Sequence, residues 1–170
     1  VTPNLAILSW NQVVLYPEGV ASDALQIQAS GRVAEGWKWA TALPIARSTG
    51  TTFESEPVSL TTLVDSPVLT ARYLKAFPLG RVDGVDHELD VATDDESMLD
   101  VPDSIIVHYR RLVREANALF GAHHYRRYHF LLTLSENVDH FGLEHHESSD
   151  DRVPERTFVD NSLRVANADL

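Results

Sequence analysis

The sequence has 170 residues, of which 44% are hydrophobic and 23% charged, a composition that excludes a largely disordered chain. Acidic residues outnumber basic ones by 25 to 14, giving a formal net charge of -11. Such a surface repels phosphate, so nucleic acid is excluded as a favoured partner. The lack of cysteine excludes disulfides and cysteine-ligated metals, and no apolar run approaches the roughly 20 residues that span a bilayer.

Residues 1–97 are predicted to form a β-rich, sandwich-like region. Short apolar runs and period-two alternation, both typical of strands, recur between Gly and Pro turns. These segments are residues 5–8, 13–15, 25–29, 37–40, 69–77 and 87–91. One short helix is predicted between residues 57 and 64.

A different pattern follows the acidic connector at residues 94–97. Apolar residues at helical spacing predict a helix that is capped by Asp103 or Ser104 and ends at Gly121. The later predicted elements are a central strand at 128–134, an extended piece at 140–147, a loop at 148–155 and a helix at 161–170. The pattern predicts an α+β fold in two parts, residues 1–97 and 98–170.

Six of the eight histidines lie between residues 123 and 146, which poses the question of a metal site. Peptidase zinc sites commonly use His-Glu-x-x-His on a helix, where both imidazoles share one face. The two near matches, which begin at His87 and His146, lack the second His. The first also lies on a predicted strand, where positions i and i+4 are about 13 Å apart. Ordinary surface and packing histidines are therefore the favoured interpretation.

Three tryptophans, Trp10, Trp37 and Trp39, could form a sugar-binding platform in a β-rich protein, although core packing is the more common use of this residue. A nucleophile elbow, a phosphate-binding P-loop and an EF-hand calcium loop are all absent from the sequence.

The segment 140–149 combines an extended pattern with Gly142, Glu144 and flanking histidines. Glycine lets an added peptide strand approach closely, and a fixed carboxylate can pair with a peptide's α-amino group. The alternative is a hairpin edge whose charges merely prevent aggregation, and spacing alone favours that alternative.

This segment resembles the Gly-Gly-Leu-Glu-His strand of the glycyl-aminopeptidase family, which belongs to the thermolysin-like gluzincin zinc peptidases. Residues 36–43 and 63–68 resemble the β-rich N-terminal region of that family, and residues 128–131 resemble the strand that precedes the substrate strand. The order and spacing of these segments extend the resemblance over most of the chain. It implies a β-rich region followed by the first half of a thermolysin-like catalytic domain.

In that family the strand holds an extended substrate and its Glu binds the free amino terminus. The resemblance therefore implies that Gly142 and Leu143 line a peptide substrate, that Glu144 binds its amino group, and that His145 occupies the position of the family's His. Phe141 replaces the first Gly of the motif, which alters how closely a substrate can approach.

The family's zinc ligands lie on a later helix, so the resemblance implies zinc in the parent enzyme but no metal, catalytic residue or activity in this chain. We expect a His-Glu-x-x-His helix to be encoded within about 10 to 20 residues after Leu170. Without it, the alternative is a non-catalytic β-rich module that binds peptide or carbohydrate. The composition is also compatible with an exported, periplasmic or secreted parent, and it fixes no oligomeric state.

Overall fold

The computed structural model describes residues 1–167, which form a β-rich α+β fold. The strands are β1 (Leu5–Leu8), β2 (Gln26–Ile27), β3 (Ser30–Arg32), β4 (Lys38–Ala40), β5 (Ile45–Thr49), β6 (Thr52–Ser55), β7 (Val58–Ser59), β8 (Val68–Ala71), β9 (Tyr73–Val82), β10 (Val85–Thr93), β11 (Arg127–Leu134), β12 (Phe141–Glu144) and β13 (Ser148–Val153). The α-helices are α1 (Leu60–Val64), α2 (Asp103–Phe120) and α3 (Asn161–Ala166). No helix in residues 1–167 has the length and apolar character needed to cross a membrane.

The first eight strands form three small antiparallel sheets, with strand orders β1-β8-β4, β3-β6-β5 and β2-β7. Trp10 is buried in their core, where its indole N–H donates to the Ser66 carbonyl at 3.0 Å. Trp39 packs against Phe53 with the ring centroids 4.8 Å apart. Both indoles therefore belong to the core of this region, the packing role that the sequence favoured over a sugar platform.

The predicted strand at residues 13–15 is wrong. Leu15 is 96% exposed and Val13 58% exposed, and the segment lies outside every sheet. A three-residue apolar run is shorter than most strands and does not form one without a neighbouring strand to pair with.

The largest sheet is mixed and has the strand order β12-β13-β11-β10-β9. Its three inner strands are parallel, and β9 and β12 flank them antiparallel. Strand β11 lies at the centre, as predicted. Strands β9 and β10 come from the first predicted part and the other three from the second, so the sheet joins the two parts. The boundary at residue 97 stays a prediction.

The two faces of this sheet are covered by different elements. Helix α2 contributes Ile105, Ile106 and Val113 to an apolar cluster on one face. On the other face, Leu131 and Ala92 pack against residues of the β1-β8-β4 sheet. The sheet is thereby buried from both sides, except along its outer strands.

Helix α2 occupies the predicted range, but its start differs from the prediction. The N-cap is Pro102, with no side-chain capping bond. Asp103 instead lies in the first turn, where a carboxylate still interacts favourably with the helix dipole. Gly121 ends the helix in the left-handed conformation, with φ of 66°, and its N–H donates to the Asn117 carbonyl. Helix α3 covers the start of the predicted helix at 161–170, whose residues 168–170 lie outside the described residues.

The predicted loop at residues 148–155 is wrong, because Ser148–Val153 forms strand β13 in the interior of the sheet. The sequence of this strand is polar, and its buried carboxylates accept hydrogen bonds from other residues of the same strand. Arg152 donates to both carboxylate oxygens of Asp150, at 3.0 and 2.5 Å, and the Ser149 hydroxyl donates to Asp151 at 2.7 Å. Local pairing allows a strand that lacks the usual apolar signature.

Asp94, at the end of β10, connects distant parts of the chain. Its carboxylate accepts hydrogen bonds from the hydroxyls of Thr2 and Ser135 and from the Asn137 side chain. Its carbonyl accepts one from the Asn4 side chain at 3.0 Å. Although burial opposes it, these donors lower the pKa of Asp94 below its usual range.

Candidate functional site

Strand β12 is an outer strand of the mixed sheet and pairs only with β13 among the residues described. In this register Gly142 lies opposite Asp151 and Glu144 opposite Ser149. Leu143 and Glu144 are exposed and Gly142 is half-buried. The structure thus brings three of the four predicted site residues together on one accessible strand, whose outward backbone groups can accept an added strand.

A row of aromatic rings extends along the sheet face that Glu144 shares. Directly opposed residues point to the same face, and Phe130 is opposite Ser149, which is opposite Glu144. The Tyr128 ring lies 4.9 Å from that of Phe130 and 5.0 Å from that of Tyr125. Half-buried aromatic rings therefore continue across this face from the strand pair next to Glu144, and Phe130 also packs against Tyr109 of α2, with the ring centroids 5.2 Å apart.

Two carboxyl groups, those of Glu144 and Asp151, lie on this face. Burial raises the pKa of Asp151, and the neighbouring charges of Asp150 and Glu144 add to the effect, although the Ser149 hydrogen bond opposes it. Burial, together with the nearby carboxylates, raises the pKa of Tyr128 to about 12. Within residues 1–167, no Lys, Arg or His nitrogen lies within 4 Å of the Glu144 or Asp151 carboxylate. This geometry suits a cationic ligand group.

His145, the fourth predicted site residue, is held by a different part of the molecule. Its Nδ1 lies 3.2 Å from the Asp65 carboxylate. The same carboxylate accepts the backbone N–H of His146 at 2.8 Å and contacts its Nδ1 at 2.7 Å. Asp65 caps the end of α1, so this contact anchors the turn after β12 to the N-terminal sheets. His145 accordingly has a positioning contact in the structure, and its role in substrate binding stays a prediction.

A pocket of about 290 Å³ lies between α2, the sheet and α3. Its walls include the apolar side chains of Phe130 and Leu132, and Asp151 and Arg164 are its charged members. The sequence did not identify Asp151 as a site residue, because residues 148–155 were predicted to form a loop. Only the register of β13 against β12 places it beside Gly142.

The six histidines that suggested zinc, all within the described residues, do not gather into one site, although His145 and His146 share the Asp65 carboxylate. His87 lies on strand β10, where its ring contacts the Val85 carbonyl and the Tyr125 hydroxyl, each at 3.0 Å, and burial lowers its pKa. His146 is bound to Asp65, and His140 contacts the Ser135 carbonyl at 2.9 Å. Neither near match to His-Glu-x-x-His is helical, so these residues do not fit the zinc helix of a peptidase.

Three other residues do bring ligand atoms close together. Glu88, Asp90 and His129 place one donor atom each within 4.8 Å of the other two. Burial and the adjacent Asp90 carboxylate raise the pKa of Glu88. This cluster lies on the opposite face of the sheet from Glu144, because alternate residues of β10 and β11 point to opposite sides.

One protein-family model matches the first part of the chain. Residues 1–72 match the Peptidase M61 N-terminal domain. No curated protein matches the chain.

Among solved structures, the chain is similar to an aminopeptidase N family protein from Idiomarina loihiensis, with a TM-score of 0.67 and 18% sequence identity. That match covers 91% of this chain but only 26% of the Idiomarina protein. An M1 zinc metallopeptidase from Deinococcus radiodurans matches 75% of the chain and 30% of its own length, with 16% identity and a TM-score of 0.47. Residues 1–72 are therefore similar to an M61 N-terminal domain, the fold is similar to part of the Idiomarina protein, and the chain spans about a quarter of that protein's length.

Proposed function

We propose that this chain is a fragment of a zinc aminopeptidase of the glycyl-aminopeptidase type. In this proposal residues 98–170 begin the thermolysin-like catalytic domain, and the sandwich-like β-rich region precedes it. Strand β12 binds an extended peptide, and Glu144 binds its α-amino group. The observation that carries the proposal is the position of Glu144, exposed on an outer strand beside an aromatic row.

The backbone of β12 would supply affinity in this proposal. An outer strand presents N–H and C=O groups that an extended peptide can pair with, as in β-strand addition. Gly142 has no side chain to obstruct that approach. Leu143, which is 48% exposed, lies between the glycine and the carboxylate, so the two positions that share a face remain Gly142 and Glu144.

The carboxylates would supply selectivity for a free amino terminus. A carboxylate forms a charge-assisted hydrogen bond with an ammonium group, which is stronger than a bond between neutral partners. The Asp151 carboxyl lies on the same face of the next strand, opposite Gly142, and the charge of Glu144 contributes to its raised pKa, so the two groups are close enough to interact. The aromatic row of Tyr125, Tyr128 and Phe130 offers apolar contact to the side chains of a bound peptide.

The chemical step would depend on groups that the described residues do not provide. In the parent enzyme a metal-activated water would attack the peptide carbonyl. Residues 1–167 contain no helical His-Glu-x-x-His pair, so we expect the 170-residue chain to contribute binding and to be inactive by itself.

The test is Glu144→Gln in the complete enzyme. We expect kcat/KM on peptides with a free amino terminus to fall by roughly 10- to 150-fold, which corresponds to the loss of one charged hydrogen bond of about 1.5–3 kcal/mol. Amino-acetylated peptides should lose little, because they carry no charge for Glu144 to bind. Glu35→Gln is the matched control, since Glu35 is exposed and lies in the turn between β3 and β4, outside the mixed sheet.

Equal losses on free and acetylated peptides would contradict the role of Glu144. Absence of an encoded His-Glu-x-x-His helix downstream would contradict the peptidase itself, and would leave a non-catalytic module that binds peptide or carbohydrate. Because Trp10 and Trp39 lie in the core region, peptide is the better ligand to test in that case.

A further inference from the structure

We propose that Glu88, Asp90 and His129 form a binding site for one divalent transition-metal ion. The site lies on the face of the mixed sheet that is turned away from α2 and from the peptide-binding face. It is independent of the peptide-binding proposal, because it shares no residue with strand β12.

The sheet itself brings the three side chains together. Glu88 and Asp90 are two residues apart on β10 and therefore point to the same side. Strand β11 runs parallel to β10 and places His129 opposite Glu88. Both strands are in the interior of the sheet, and regular strands hold ligands more rigidly than loops do.

The distances are close to those of a metal site. Nδ1 of His129 lies 2.7 Å from the Asp90 carboxylate and 3.9 Å from that of Glu88. Zinc bonds to N and O are about 2.0–2.2 Å, so ligand atoms in a tetrahedral site are about 3.3 Å apart. The observed separations fall on either side of this value. Binding would require a small opening of the His129–Asp90 contact and a small closure of Glu88.

The three side chains differ in solvent exposure, which leaves one side of the cluster open to an entering ion. The Asp90 side chain is 2% exposed, that of His129 15%, and that of Glu88 36%. Glu88 and His129 line a surface pocket of about 500 Å³, which would leave room for a water or another ligand at the open coordination position.

The arginines around this pocket do not prevent a cation from binding. Arg126 donates to both oxygens of Glu147, at 2.9 and 2.7 Å, and Arg81 lies 4.0 Å from Asp86. Their charges are therefore largely balanced locally. Arg127 also lines the pocket, and its charge would favour an anion as the additional ligand of the metal.

A simple ion pair accounts for only part of this arrangement. His129 and Asp90 would suffice for a buried hydrogen-bonded pair, yet a second carboxylate, Glu88, converges on the same imidazole nitrogen. Two carboxylates and one imidazole are a ligand set that suits zinc and similar divalent metals. The same nitrogen can bind a metal only in the neutral ring, so metal and ion pair are mutually exclusive states.

The test uses the 170-residue chain without a histidine tag, treated with a chelator and titrated calorimetrically with zinc chloride at neutral pH. We expect one zinc ion per chain. Glu88→Gln should weaken zinc affinity by at least about tenfold, and zinc should raise the thermal midpoint of the wild-type chain more than that of the variant. Glu88 is partly exposed, so this variant is expected to fold. An unchanged midpoint without zinc checks that it does.

His146→Ala is the matched control, because it removes a histidine from the separate Asp65 cluster and should leave zinc affinity unchanged. The proposal is overturned if wild-type chain binds no zinc, if Glu88→Gln binds as tightly as wild type, or if affinity is lost in His146→Ala instead. Each of these results concerns zinc alone and leaves the peptide-binding proposal untouched, since that proposal is tested by Glu144→Gln and neither Glu88 nor His146 lies on β12.

Discussion

The two faces of the mixed sheet use charge in different ways, although both are built from alternate residues of the same strands. On the face toward the N-terminal sheets, buried carboxylates have partners: Asp150 is paired with Arg152, and Asp90 contacts Nδ1 of His129. On the face toward α2, apolar residues dominate near the helix. The carboxylates of Asp151, on β13, and of Glu144, on the outer strand β12, have no cationic partner within 4 Å in residues 1–167. The first face, which we call the cohesive face, has the charges of Asp150 and Arg152 paired inside the fold, although it also carries the cluster of Glu88, Asp90 and His129 that we propose as a metal site. The second face leaves the charge of Glu144 available to a peptide ligand.

The largest expected effect comes from breaking a pair on the cohesive face. Asp150→Ala removes the partner of Arg152, whose side chain is only 17% exposed. Breaking a buried ion pair by removing one member costs about 3–5 kcal/mol, because the remaining charge is uncompensated. Urea denaturation measures the free energy of unfolding.

The control for that substitution is Arg81→Ala, which breaks the exposed pair with Asp86 and should cost less than about 1 kcal/mol. If the two variants lose similar stability, the charges on the cohesive face are no more important than those on the surface.

A second, smaller effect is expected from Asp151, and it depends on pH. The folded-state pKa of Asp151 is raised, chiefly by burial, above the value of about 3.9 typical of an unfolded chain. The folded state then binds the proton more tightly, so Asp151 costs stability as pH rises from the unfolded value through the folded one. Asp151→Asn should remove this cost. The stability of the variant relative to wild type should therefore increase with pH across that window.

Chemical denaturation of both proteins at a series of pH values from 4 to 8 measures this difference. A difference that is constant with pH would mean that Asp151 is compensated in the fold, and the contrast between the two faces would then be weaker.

Helix α2 gives a third test, because it covers the ligand-binding face. Gly121 ends the helix with φ of 66°, and a Cβ at this position would contact nothing within 4 Å. The cost of Gly121→Ala is therefore purely conformational, about 1 kcal/mol, and thermal or urea denaturation measures it. An unchanged stability would show that the end of α2 rearranges without cost.

The smallest effect is expected for Glu144. Because Glu144 is exposed and has no cationic partner in the described residues, Glu144→Gln should change the free energy of unfolding by no more than about 0.5 kcal/mol. Denaturation of the 170-residue chain measures this. A loss above about 1 kcal/mol would mean that Glu144 supports the fold, and the edge would not be available for a ligand.

The sequence predicted the elements whose own pattern is strong. Helix α2 has apolar residues at helical spacing and a glycine at its end, and β11 is a continuous apolar run, so both were located correctly. Strand β13 was missed because its polar sequence lacks the apolar pattern of a buried strand. The pairing of Asp150 with Arg152 that compensates the burial of these charges is local, but it is recognisable only once the segment is known to be extended. The low strand propensity of this segment was overridden by its pairing with β11 and β12.

The candidate site was predictable only where it is local. Gly142 and Glu144 were placed on an extended segment by their own sequence, whereas Asp151 and the aromatic row depend on strand register. The contact between Asp65 and His145 joins residues that are 80 positions apart. The cluster of Glu88 and Asp90 with His129 likewise requires the parallel pairing of β10 with β11, which spacing along one strand cannot specify.

The hydrogen bonds that Asp94 accepts from distant parts of the chain affect how the molecule unfolds. Its carboxylate takes donors from Thr2, at the start of the chain, and from Ser135 and Asn137, beyond the central strand. If either region detached, a partly buried carboxylate would lose donors that water could replace only in part. The two regions are therefore coupled energetically, and we expect the N-terminal sheets and the mixed sheet to melt as one cooperative unit.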